Sequence, residues 1–243
     1  MAGIYVHIPF CAQACYYCDF HFSTSLKTQD RIVRAIKTEV SCQQKYFLNE
    51  AISTIYFGGG TPSILSVNLI EQILNKIQHT FKCVDKLEIT LEANPEDVTS
   101  EKLQEWISIG INRVSLGVQS FRDKDLKYMN RIHNKKQSLK SLELLCQSSI
   151  SNINVDLIYG FPQLSNQAWR ENLNMLLSFN ISHVSCYSLT VEKNTPLYHF
   201  IKKGKLKPMQ SKKANMQFLI GRKLLIESGY EHYEISNFSR PGF

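Results

Sequence analysis

No run of about 18 uncharged apolar residues occurs in the 243-residue sequence, which leaves no candidate transmembrane helix. The opening residues, MAGIYVHIPFCAQ, have no basic n-region and too short an apolar run for a signal peptide. Without a secretion signal, seven cysteines argue for metal ligation or free thiols in a reducing compartment, the cytoplasm by default, and against a disulfide framework. The histidines show no paired metal-ligand spacing, so no residue is singled out as catalytic. Linkers, low-complexity segments and repeats are also missing, which predicts one domain over residues 1–243. Basic side chains outnumber acidic ones, 28 to 21, and the net charge of +7 suits an anionic ligand such as a carboxylate, phosphate or propionate. The basic residues are scattered, with short clusters only at Lys202, Lys203 and Lys205 and at Lys212 and Lys213, so no nucleic-acid partner is expected.

What is present is alternation. Strand-like runs at 3–8, 53–59, 86–94, 111–119, 152–160 and 183–191 are separated by amphipathic stretches at 28–48, 66–81, 98–110, 135–147, 166–179 and 212–228. In the first of these, Ile32, Val33, Ile36 and Val40 recur at helical spacing, and Ser66 is positioned to cap the second. Six β-α units predict an α/β fold with a parallel sheet inside and helices outside, either doubly wound or curled into part of a barrel. The strands look apolar and β-branched, as strands covered on both faces do. The tail, YEHYEISNFSRPGF, resembles an interrupted domain more than a finished terminus.

Cys11, Cys15 and Cys18 form a C-x3-C-x2-C loop directly after the first strand. Such short spacing lets three sulfurs face one centre, and thiolates favour zinc, Cu(I) or iron–sulfur clusters. Structural zinc would need a fourth ligand, for which His7 and His21 are candidates. A [4Fe–4S] cluster on three cysteines instead leaves one iron open. On the cysteines alone, cluster, zinc and unligated thiols all stand. Cys42, Cys83, Cys146 and Cys186 are isolated and are expected to be small buried hydrophobes.

Two further patterns carry chemistry. GGGTP (58–62) lies between a strand and a helix, where glycines let the backbone approach a ligand and Thr61 adds a hydroxyl. It fits neither common phosphate-loop pattern, and by itself is equally an ordinary turn. Glu92 and Gln119 end the third and fourth strands, and Asp156 lies in the fifth. Each alone would be taken as a loop cap. Polar groups on successive strands of a barrel, however, converge on one ligand at the C-terminal face.

The combination YVHIPFCAQACYYCDF with YFGGGTPS resembles the radical S-adenosylmethionine (SAM) superfamily. The match continues through LEANPED (91–97), RVSLGVQSF (113–121), NRIH (130–133), NVDLIYGFP (154–162) and YEISNFSRPG (233–242), covering nearly the whole chain. The resemblance implies a partial (β/α)6 TIM-like barrel and a [4Fe–4S] cluster on Cys11, Cys15 and Cys18 whose open iron chelates SAM. It further implies that Gly59, Gly60 and Thr61 meet the methionine part of SAM and that Glu92 meets its amino group. Gln119 and Asp156 would meet the ribose, and Arg131 a carboxylate. Tyr5, Tyr17 and Ser188 match ligand-contacting positions as well, although a strand aromatic such as Tyr5 is usually core. In such proteins an electron entering the cluster, from a donor such as flavodoxin or ferredoxin, cleaves SAM to methionine and a 5′-deoxyadenosyl radical.

The likeness is to the branch that contains oxygen-independent coproporphyrinogen III dehydrogenases and HemW-type haem chaperones. The dehydrogenases place a further cysteine two residues after the third, whereas the chaperones place phenylalanine there, as Phe20 does here. This favours a protein that binds haem and passes it to a haem-accepting protein. The alternatives are oxidation of coproporphyrinogen in porphyrin biosynthesis or another SAM-radical activity. Chaperone-branch proteins continue after RPGF with an H-N-x-x-Y-W motif and a C-terminal domain, so the resemblance implies that this domain is missing or truncated.

Overall fold

A single amphipathic period explains how each unit folds. In α2 (Val67–Thr80) the buried residues are Ile70, Ile73, Leu74 and Ile77, a three-and-four spacing that gives one apolar stripe. Such a stripe must cover a sheet. The structure, a computed structural model, describes residues 2–47 and 50–243. Its main strands are β1 (Ala2–Ile8), β2 (Ile52–Gly59), β3 (Cys83–Ala93), β4 (Arg113–Gln119), β5 (Asn152–Tyr159) and β6 (His183–Ser188). Each pairs in parallel with the next in sequence order. The remaining helices are α1 (Gln29–Cys42), α3 (Ser100–Ser108), α4 (Asp123–Met129), α5 (Lys135–Gln147), α6 (Asn166–Leu177), α7 (Pro196–Lys202) and α8 (Ser211–Glu227). A sheet that adds each parallel strand beside the last, with helices returning over it, is the partial (β/α)6 barrel that was expected.

Two short strands follow, β7 (Glu231–His232) and β8 (Asn237–Ser239). They form a hairpin in which β8 pairs antiparallel with β6, setting Val184 opposite Phe238. The hairpin occupies what would be the free edge of β6. The sheet therefore has eight strands in the order β1-β2-β3-β4-β5-β6-β8-β7, and β1 and β7 are its two edges.

Several boundaries differ from expectation. The first helix stops at Cys42, because Gln43, Gln44 and Lys45 give the core nothing to cover, and the structure turns there through Phe47; Leu48 lies outside the described residues. Ser66 does occupy the cap position of α2 but makes no capping bond, whereas Thr99 caps α3 by accepting from the Lys102 N–H at 3.2 Å. Burial of the isolated cysteines holds only for Cys186. Cys83 is half-buried, and Cys42 and Cys146, near the ends of their helices, face solvent. The strands are not apolar on both faces. Leu91, Val114, Leu116, Val118, Val155 and Leu157 are fully buried, while Glu92, Ser115, Gly117, Asn154 and Asp156 alternate with them on the opposite face.

Candidate cofactor site

The C-terminal ends of the strands open into a cavity of about 570 Å³. Its lining includes Cys11, Cys15 and Cys18 from the loop after β1, Gly59, Gly60 and Thr61 from the β2 end, and Tyr17, Glu92, Gln119, Arg131, Asp156 and Ser188. Twelve of the thirteen residues singled out in the sequence therefore share one space. Tyr5 stands outside the lining, 58 % exposed, and stacks on Tyr56 with ring centroids 5.9 Å apart. Tyr56 in turn donates its phenol to Glu92 Oε1 at 2.8 Å.

The glycines are dictated by crowding. Gly59 has φ +112°, and a Cβ there would meet the His7 ring at 2.6 Å. A Cβ on Gly60 would lie 2.5 Å from the Phe10 carbonyl oxygen and 3.0 Å from Cys11 Sγ. The backbone of this turn is held by Gly60 N–H on the Ile8 carbonyl at 2.9 Å and Thr61 N–H on the Phe10 carbonyl at 2.7 Å. The cysteine loop and the GGGTP turn are thus locked to each other.

The far side of the loop rests on two short helices absent from the sequence reading. Tyr16 N–H donates to the Met129 carbonyl at the end of α4, and Leu197 N–H at the start of α7 donates to the Tyr16 carbonyl. Asn130 closes α4 in the left-handed conformation, φ 59°, and its side-chain amide donates to the Ala14 carbonyl at 2.7 Å. This turn delivers Arg131. Its Nη2 donates to Asn94 Oδ1 at 2.6 Å and to the Gly117 carbonyl at 3.0 Å, and its Nη1 reaches Cys15 Sγ at 3.4 Å. Asn94 was not singled out in the sequence. Neither was His133, which bridges Glu96 Oε2 at 3.1 Å and the Val118 carbonyl at 3.0 Å.

Electrostatically the floor of the cavity is unusual. Burial pushes the Glu92 carboxyl up to about 7, with the Asp156 carboxylate adding to the effect and bonds from Tyr56 and the Gly59 N–H opposing it. Asp156 is raised by burial as well, against a bond from the Asn154 amide at 2.8 Å. Two carboxyl groups held above their ordinary range in one pocket call for a cationic or hydrogen-bond-donating ligand. Gln119 adds a second sign of a missing partner. It sits at φ 64°, in the left-handed region, and its buried Oε1 has no hydrogen-bond partner.

Fold and site together define an open parallel α/β barrel with a three-cysteine loop over a polar cavity. The chain matches the radical SAM superfamily over residues 5–176 and belongs to that family. It is 38 % identical to the haem chaperone HemW of Lactococcus lactis over 98 % of this chain and 62 % of the relative, and 33 % identical to HemW of Escherichia coli over 99 % and 63 %. The chain thus spans about three-fifths of the length of these relatives. Among solved structures, the coproporphyrinogen III oxidase HemN of Escherichia coli superposes with a TM-score of 0.86 at 25 % identity, covering 99 % of this chain and 56 % of that one. Within the superfamily, these sequence similarities run to haem chaperones HemW, at 33–38 % identity. Among the described residues, no helix is long and apolar enough to cross a membrane.

Radical SAM proteins carry a [4Fe–4S] cluster and SAM, and the cavity fits both. Among the described residues, no three His, Cys, Asp or Glu side chains are gathered tightly enough for a single metal ion. A cubane asks for less convergence, because each thiolate bonds its own iron. Burial pushes the Cys11 and Cys18 thiols up, so in this pocket the thiolate form needs a cation beside it. The unpartnered Gln119 oxygen and the raised Glu92 carboxyl supply acceptors for a ligand bearing an ammonium group and hydroxyls.

Proposed function

We propose that the protein is a radical SAM haem chaperone of the HemW type, with residues 1–243 forming its radical SAM core domain. Cys11, Cys15 and Cys18 would hold the cluster, which would supply one-electron cleavage of SAM when both are bound. Gly59, Gly60 and Thr61 would contact the methionine part and Glu92 the ammonium. Gln119 and Asp156 would take the ribose hydroxyls and Arg131 a carboxylate, with Tyr17 and Ser188 closing the pocket and Tyr5 supporting it through Tyr56. The observation carrying this reading is the meeting of the cysteine loop with strand-end polar groups in one cavity. Haem as cargo is supported by the similarity to HemW proteins and by Phe20 in the position where the dehydrogenase branch has cysteine. An electron donor such as flavodoxin or ferredoxin and a haem-accepting protein would complete the system. Seven free cysteines suit a cytoplasmic setting.

The structural likeness to HemN favours a second reading, oxidation of coproporphyrinogen III. One anaerobic experiment separates the two. The cluster is reconstituted, SAM and reductant are added, and 5′-deoxyadenosine and porphyrin products are measured beside a haem titration. Haem uptake without porphyrinogen decarboxylation is expected; decarboxylation would overturn the chaperone reading.

A further inference from the structure

The YEISNF segment has no place in the cofactor cavity, yet it holds a second reactive constellation. Tyr233 lies in the turn between β7 and β8, 59 % exposed, and its phenol oxygen is 2.7 Å from Nε2 of His183 at the start of β6. The other imidazole nitrogen, Nδ1, is 2.6 Å from Asn154 Oδ1. That oxygen can only accept, because the Asn154 amide nitrogen is committed to Ser115 Oγ at 2.7 Å and Asp156 Oδ1 at 2.8 Å. The tautomer follows: Nδ1 carries the hydrogen, Nε2 accepts, and Tyr233 donates to it. A buried base therefore holds the proton of an exposed phenol, and the oxygen's remaining lone pairs face outward.

The β6–β8 pairing ends at Ser185–Asn237, and one further bond, Cys186 N–H on the Ser236 carbonyl at 2.8 Å, ties the turn to β6. Ile235, two residues after Tyr233, is 71 % exposed, and Tyr187, 44 % exposed, lines the cofactor cavity at the other end of β6.

We propose that Tyr233 is an axial ligand for ferric haem, with His183 as the hydrogen-bond acceptor that orients its phenol. This rests on the haem-handling reading above and names the residue that would carry it. On binding, the Tyr233 O–H bond breaks and an Oη–Fe(III) bond forms. The proton leaves to the solvent around the exposed phenol, a water leaves the iron, and the iron keeps its oxidation state. Tyrosine is an established haem-ligand type, and an anionic oxygen favours ferric over ferrous iron. Burial, then the neighbouring Arg113, holds His183 down to about 4, so the imidazole is neutral and free to accept. Burial and Glu234 raise Tyr233 against Arg113, which keeps the phenol protonated until a metal claims its oxygen.

A second phenol–imidazole pair provides the internal comparison. Tyr5 Oη is 3.3 Å from His7 Nδ1, a longer contact at the opposite edge of the sheet, and its ring already stacks on Tyr56.

The test is a titration of ferric haem into the cluster-loaded protein, followed by resonance Raman and visible spectroscopy. Wild-type protein should bind one haem and show phenolate vibrations with a phenolate-to-iron charge-transfer band. Tyr233→Phe should lose those signals and at least about tenfold in affinity, a change of about 1.4 kcal/mol. Tyr233→His should restore binding with an imidazole-type spectrum, which a merely structural role for Tyr233 would not produce. His183→Gln should shift the charge-transfer band and weaken binding several-fold. Reduction by added dithionite should transfer one electron to the iron, return the proton to Tyr233 and lower affinity. Tyr46→Phe, at an exposed position far along the chain, should match wild type. Iron–sulfur absorbance and thermal unfolding of each variant report folding. If wild-type protein binds haem and Tyr233→Phe keeps the phenolate signal, the assignment fails while haem handling stands. Loss of that signal in Tyr5→Phe instead would move it to the other pair. If wild-type protein takes up no haem, both readings fail.

Discussion

The two faces of the central sheet share the same strands and have opposite chemistry. On the helix-facing side, Val114, Leu116, Val155 and Leu157 are fully buried and make no polar contact through their side chains. On the other side, one residue along, Ser115, Asn154, Asp156 and Glu92 bond to each other or to the cavity wall. Strand geometry makes this possible, because successive side chains point to opposite faces. The difference teaches a division of labour. Apolar burial, at about 25 cal/mol per Å², is gathered on one face. The other face carries raised carboxyls, an unpartnered amide oxygen and a left-handed Gln119, features that cost stability and suit ligand binding.

The sharpest contrast between chemistry and stability lies at the cysteine loop. Cys11→Ala, Cys15→Ala and Cys18→Ala should each abolish nearly all iron–sulfur absorbance after anaerobic reconstitution. Because the three cysteines are only half-buried, unfolding of the cluster-free variants should shift by no more than about 1 kcal/mol. The mirror experiment is Leu157→Ala on the helix-facing side. It should cost about 2–5 kcal/mol in denaturant unfolding while the surviving folded protein still assembles the cluster. If Leu157→Ala removed the cluster as completely as a cysteine variant, the division between faces would be broken.

Gly60→Ala probes where the two roles meet. The added methyl would collide with the Phe10 backbone oxygen, which cannot rotate away, and press on Cys11 Sγ. Cluster occupancy should fall several-fold, read as iron per protein, with a stability loss of about 1–3 kcal/mol from overpacking.

How much of this was legible in the sequence depends on how local each signal is. The cysteine loop and GGGTP are contiguous, and their partners in chemistry sit at predictable strand ends. The shape that holds them was not legible. Asn94 owes its role to Arg131, 37 residues away, and His183 to Asn154 and Tyr233, 29 and 50 residues away. α4 and α7 have seven residues each, too few to show a periodic stripe, yet they carry the backbone bonds that support Tyr16. The β7–β8 hairpin was not read as strands because β8 finds its partner in β6 across more than fifty residues. The alternation of faces was present in the strands but masked by their high apolar content.

Glu92 tests the polar face by titration. A carboxyl raised from its usual 4.5 to about 7 binds its proton more tightly in the folded chain than in the unfolded one. Its contribution to stability is therefore fully present below 4.5 and is lost as pH rises through about 7. Denaturant unfolding of the cluster-free protein should show that decline, and Glu92→Gln should flatten it in part; the raised Asp156 keeps the rest. SAM affinity should run the other way, rising in wild type as Glu92 ionises. Glu92→Gln should lose about tenfold or more in affinity by isothermal titration, the order expected for a hydrogen bond to a charged group. A flat pH profile for SAM binding in wild type would remove Glu92 from the ammonium site.

The smallest effect is expected at Phe20, and its smallness is the informative part. The ring lines the cavity mouth and is 69 % exposed, so it contributes little to packing. Phe20→Ala should change unfolding free energy by no more than about 0.5 kcal/mol and leave cluster absorbance intact. Phe20→Cys should be equally quiet in both measurements, since three thiolates would already hold the cluster. A large exposed aromatic at the mouth of a cofactor cavity is then held for what approaches from outside rather than for the fold. If Phe20→Ala instead destabilised the protein by several kcal/mol, the loop would belong to the packed face of the molecule in energetic terms, and the boundary between the two faces would have to be redrawn around it.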